Sequence, residues 1–155
     1  MRPSLQRLED LTEMGLVLID KNEHLHKAIE EAYELIEAFR TEDNQDIKEE
    51  LVDNAILNYR LLKMYKVQKS DLIYFGGKIL NISFEDQKEL CEIFLKDLIG
   101  AIENGEDSKI CEVSKALFPK LVILITFLFP SEIDYHKMLN KKLDKFEFKY
   151  LKVAT

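Results

Sequence analysis

Two acidic couplets hold the residues of this chain best suited to chemistry: Glu31-Ala-Tyr-Glu34 and Glu50-Leu-Val-Asp53, with Glu30, Glu37 and Glu49 beside them. On a helix, positions i and i+3 lie about 60° apart around the axis, so each couplet projects two carboxylates in one direction. The polar connector Thr-Glu-Asp-Asn-Gln-Asp over 41–46 is too short for anything but an antiparallel return. The two helices should therefore be neighbours, and the four carboxylates should converge. Unpaired carboxylates at one place repel one another, and burial adds a desolvation cost. A hard divalent cation removes both penalties. Oxygen ligands without His or Cys favour Mg2+, with Mn2+ as the alternative, over Zn2+. Such an ion activates a bound water and shields phosphate oxygens from it, so the natural reaction class is metal-assisted hydrolysis of a phosphoanhydride.

The elements that must position these acids read as helices. Leu25, Ala28, Ile29, Ala32, Leu35, Ile36 and Phe39 keep to a narrow stripe around one of them, and Glu31 sits at its flank. Glu34 lies well round from that stripe and turns inward only if another helix or subunit covers its side. In the next segment Ile47, Leu51 and Leu62 share one side while Val52, Ile56 and Tyr59 share another, which predicts a central, sandwiched helix. Upstream, Leu5, Leu8, Leu11 and Leu18 start a helical pattern that Ser4 can cap. Residues 67–82 hold a short or broken helix interrupted by Gly76-Gly77. Ser83 with Asp86 opens a helix over about 84–103 that Asn104-Gly105 ends. A further helix over about 107–129 is kinked or divided by Pro119, and Pro130-Ser131 starts the last, about 131–146. The expected fold is all-α, an antiparallel bundle of five or six helices. The expected organisation is one domain over 1–155, with motif helices at about 22–40 and 46–66 and C-terminal helices over about 84–146.

The bulk properties agree. The chain has 155 residues, 46% hydrophobic and 33% charged, which suits a folded protein with a real core. A formal net charge of −7 works against duplex nucleic acid, but not against a nucleotide bound through a metal ion. Cys91 and Cys111 are too few for a disulfide framework and read as small core residues. The longest apolar run, Leu121–Phe129, falls short of the roughly 20 residues needed to span a bilayer. It is either a buried core helix or an interface. No leader of the secretory type opens the chain, and a cytoplasmic setting without membrane contact is expected.

The run Glu30-Glu31-Ala-Tyr-Glu34-Leu-Ile-Glu37-Ala-Phe39, followed by Ile47-Lys-Glu-Glu50-Leu-Val-Asp53, resembles the E-E-x-x-E … E-x-x-D signature of the all-α NTP pyrophosphatases. That superfamily includes MazG-like proteins and the dimeric dUTPases and dCTPases. The likeness covers about residues 25–65 and extends to the apolar residues around the acids. It implies a MazG-like core and Mg2+-dependent hydrolysis of a nucleoside triphosphate to monophosphate and pyrophosphate, by a homodimer or higher homo-oligomer. It also implies that Glu31, Glu34, Glu50 and Asp53 are the metal ligands, and that one of them or a neighbouring carboxylate orients the attacking water. Lys137, Asn140 and Lys141, within one turn of the last helix, look like the C-terminal segment that contacts phosphates in several relatives. Leu143-Asp144-Lys145-Phe146 departs from the Arg and Gly-Tyr-rich stretch of the dimeric dUTPases. There is no Trp to stack on a base, which leaves Phe39, Tyr59 or Tyr65 for that role and the base itself open. Lys141-Lys142 and Lys145 also read simply as an exposed basic helix end.

Three other readings compete. Glu23-His-Leu-His26 is an E-x-x-H of the kind used in di-iron bundles, but no second copy exists, so His24 and His26 read as surface or cap residues. A helical dimerisation or interaction module without catalysis would owe nothing to Mg2+, whereas a carboxylate cluster should gain stability from it. A degenerate member that binds nucleotide without hydrolysing it carries the same acids.

Overall fold

The computed structural model describes residues 20–67, 83–129 and 131–146. Five helices follow one another there: α1 (Lys21–Thr41), α2 (Asn44–Met64), α3 (Phe84–Glu103), α4 (Asp107–Leu128) and α5 (Glu132–Phe146). No strand occurs among the described residues, and the fold is an all-α bundle. The pattern from Leu5 to Leu18 and the segment around Gly76-Gly77 lie outside the described residues.

The periodicity of α2 decides the architecture. Ile47, Leu51 and Leu62 on one side, and Val52, Ile56 and Tyr59 on the other, are all buried. α2 packs against α1, α4 and α5, while α3 packs against α1 and α4. It is the central helix that its two apolar sides predict. Each fully buried Leu contributes about 1.5–3 kcal/mol relative to exposure, so Leu51, Leu61 and Leu62 together hold α2 firmly. One hydrophobic core runs from Ala32 and Leu35 of α1 through Leu95 and Leu121 to Leu139 and Leu143 of α5.

The helix ends explain the turns. Asp43 caps α2 by accepting hydrogen bonds from the Gln45 and Asp46 amides, and Glu42 takes a left-handed φ of 59° that reverses the chain. α2 therefore begins at Asn44, two residues before the expected start, because the carboxylate at 43 is the cap. Ser83 accepts from the Asp86 amide at the start of α3. At its end Gly105, with φ 67°, donates to the Ile102 carbonyl while Glu106 donates to Ala101, a Schellman turn that leads into α4. α1 with α2, and α3 with α4, are thus antiparallel hairpins.

Pro119 sits inside α4 without dividing it. The apolar run resolves mainly as core: Leu121, Ile123, Leu124 and Ile125 are buried, and Phe127 is exposed beside Phe84. Both cysteines are free, Cys91 buried and Cys111 only half-buried. Among the described residues no helix is long and apolar enough to cross a membrane.

Candidate functional site

The α1 stripe carries Glu31 inward. It lies three residues after Ala28 and four before Leu35, both buried, and it is itself only 7% exposed. Across from it on α2, Glu50 and Asp53 flank the same side and are half-buried. One carboxylate oxygen from each of Glu31, Glu50 and Asp53 lies within 4.8 Å of the others. A buried carboxamide sets the helices at this height: Asn54 Nδ2 donates to the Glu31 carbonyl at 2.9 Å and to the Glu50 carbonyl at 2.8 Å. Asn54 is one turn beyond Glu50 on the core side, a position that sequence reasoning passed over.

The electrostatics are those of a cluster short of positive charge. Burial raises Glu31 to about 7, with the charges of Asp53 and Glu34 adding to the effect. Burial likewise raises Glu50 to about 8, reinforced by Asp53 and Glu31. Asp53 is also raised by burial, and the nearby Lys142 ammonium partly offsets that. Glu31 Oε2 and Glu50 Oε2 are buried with no hydrogen-bond partner. Each such orphaned polar atom costs about 1–3 kcal/mol, so the arrangement is stable only if something positive satisfies it. Two lysines offset the negative charge of the cluster in part, each on an oxygen other than the two orphaned ones. Lys27 Nζ is 3.5 Å from Glu31 Oε1 and shared with Glu30, and Lys142 Nζ is 3.1 Å from Asp53 Oδ2.

These residues fit a hard divalent cation. Oxygens this close are within reach of one ion whose bonds are about 2.0–2.6 Å long, and an all-carboxylate set is the chemistry of Mg2+, Mn2+ or Ca2+. Glu34 is exposed and stands outside the group of three. It remains close enough for its charge to raise all three partners.

Beside the cluster a cleft of about 280 Å³ opens between the start of α2 and α5. It is lined by Gln45, Glu49, Asp134, Lys137, Met138, Lys141, Lys142 and Lys145. Lys137 and Lys141 are exposed there, while Asn140 is half-buried and lies outside the lining. The residue that reaches the acids is Lys142, which sequence reasoning left on the basic helix end. A signal existed: Lys142 follows Leu139 by three positions and precedes Leu143, so it flanks the buried stripe of α5.

Two expectations need correction. Phe39 and Tyr59 are core residues, buried by the packing of α1 and α2, and Tyr65 donates its hydroxyl to Asp107 under the Lys21 ammonium. Phe39 and Tyr59 therefore offer no face to a base, and Lys21 covers one face of the Tyr65 ring. His24 is neither surface nor cap. It is buried, its Nε2 is 3.3 Å from the Leu57 carbonyl, and burial lowers it to about 4, so it is a neutral donor inside the bundle. His26 is exposed and pairs with Glu30, which leaves the E-x-x-H without an inward-facing histidine.

Residues 20–64 match the family model of the MazG nucleotide pyrophosphohydrolase domain. That segment covers α1 and α2 and all four carboxylates, and the match, in an all-helical bundle, fits the all-α NTP pyrophosphatase superfamily. No curated protein and no solved structure matches the chain significantly.

Proposed function

We propose, from the MazG-domain match and the carboxylates it encloses, that this protein is a Mg2+-dependent nucleoside triphosphate pyrophosphohydrolase that converts a (d)NTP to (d)NMP and pyrophosphate. The observation that carries this reading is the pair of buried carboxylate oxygens, Glu31 Oε2 and Glu50 Oε2, left without a partner where α1 and α2 meet. A solvated acidic face would hold its oxygens in water; these are withheld from it.

Glu31, Glu50 and Asp53 would hold the cation, Mg2+ or Mn2+, with Glu34 joining from the exposed side. Bound there, the ion would supply charge neutralisation of the α- and β-phosphates and acidification of a coordinated water. Glu34, at the mouth of the cluster, takes the role of orienting the attacking water. Attack at the α-phosphorus forms the new P–O bond, and the bond to the bridging oxygen breaks so that pyrophosphate leaves with the electron pair. Lys137 and Lys141 line the adjacent cleft, where their ammonium groups would neutralise the phosphate chain, with Asn140 beside them. Action as a homodimer or higher homo-oligomer, the absence of duplex nucleic acid as a partner, and a cytoplasmic setting belong to the same proposal.

The test is product release from the common NTPs and dNTPs plus dUTP, with Mg2+ and with excess EDTA. Metal-dependent appearance of pyrophosphate, rather than orthophosphate, from one or a few substrates is the expected result and names the base. Silence across the panel, with no Mg2+-induced rise in Tm, overturns it in favour of an interaction module.

A further inference from the structure

Lys142 differs from its neighbours on α5. Lys137, Lys141 and Lys145 are exposed, whereas the Lys142 side chain is only 18% exposed and its Nζ sits 3.1 Å from Asp53 Oδ2. The same side chain lines the cleft that Lys137, Lys141 and Lys145 share. It therefore touches both halves of the site: the acids that would take a cation, and the basic cleft that would take an anion.

From this geometry we infer that Lys142 is a resident counter-ion, holding Asp53 in the metal-free protein and passing to the phosphate chain when the cation binds. The inference rests on the function proposed above. A divalent cation on Asp53 and an ammonium on the same carboxylate are like charges a few ångströms apart, so the two compete. The ammonium is the mobile partner, because it rides on a flexible four-carbon stem. The nearest space open to it is its own cleft. Once Lys142 leaves Asp53, the cleft sets four lysines against Glu49 and Asp134, a surplus of two positive charges suited to a polyphosphate. Metal alone must displace Lys142 without recompense, whereas metal with a phosphate chain gives the displaced ammonium a new partner. Metal and substrate thus assist each other's binding.

The full chain is titrated with Mn2+ by calorimetry without nucleotide, then with the Mn2+ complex of inorganic triphosphate. Lys142→Met and Lys142→Gln are measured together, so that loss of fold in one still leaves a result, and circular dichroism checks both. Both neutral variants should bind Mn2+ about tenfold tighter than wild type and the triphosphate complex about fivefold more weakly. Lys142→Arg should keep wild-type Mn2+ affinity. A merely structural lysine would not move the two affinities in opposite directions. Mn2+ affinity unchanged or weakened in the neutral variants overturns the inference, and tighter Mn2+ with unchanged triphosphate binding overturns the transfer to the phosphate chain. If wild type binds no Mn2+, and Asp53→Asn behaves identically, the metal site itself falls.

Discussion

Glu31 and Glu50 hold their protons more tightly in the folded protein than in the unfolded chain. Burial and mutual repulsion raise them from 4.5 to about 7 and about 8. Between those limits the native state binds more protons than the unfolded state, so the metal-free protein is most stable at low pH with respect to these groups. That stability is lost as pH rises from about 4.5 through 8. In EDTA, Tm should therefore fall across this window, less so for Glu50→Gln. At pH 8.5 the Gln variant should exceed wild type by about 1–2 kcal/mol, less than the full shift implies because the site is open to water on one side. Saturating Mg2+ should reverse the order by stabilising wild type alone. A flat Tm across the window would mean the carboxylates are solvated. Asn54 belongs to the same scale. Asn54→Ala removes two hydrogen bonds that tie Glu31 to Glu50, and chemical denaturation should show a loss of about 1–2 kcal/mol, together with weaker Mg2+ affinity.

Among the elements, α2 does most to build the site, and its start is set by one carboxylate. Asp43→Ala should cost about 1 kcal/mol in urea denaturation, because the Gln45 and Asp46 amides lose their acceptor. Much of this level was legible beforehand. The two apolar sides of α2, the stripe of α1, and the ends at Ser83 and Asn104-Gly105 are properties of single helices, and the chain states them locally. So was the pairing of Glu31 with Glu50 and Asp53, because a short connector leaves antiparallel neighbours no other course. What stayed hidden depends on how one helix is turned against another. His24 reads as polar and terminal, but α1 packs so that it meets the Leu57 carbonyl. Lys142 reads as one of several surface lysines, but the docking of α5 on α2 sends it to Asp53. Glu34, expected to converge with the other three by the couplet spacing and placed as a ligand by resemblance, stays exposed because nothing among the described residues covers its side of α1.

At the scale of the whole molecule, the bundle sets an electron-rich cluster beside a cation-rich cleft, in a chain whose net charge is −7. That separation suits a ligand that is itself divided into a cation and a polyanion, as a metal–nucleotide complex is. The core supplies the rigidity: Leu51, next to Glu50, and Leu35, one turn beyond Glu31, are fully buried, so the backbones that carry the acids cannot drift apart cheaply. The most direct test of the central claim is the rate of pyrophosphate release under saturating Mg2+ by wild type and by Asp53→Asn, each with its fold verified. The carboxylate cluster predicts steady release by wild type, abolished by EDTA, and a fall of at least about a hundredfold in the variant. Release that is independent of Mg2+, or undiminished in Asp53→Asn, would contradict it.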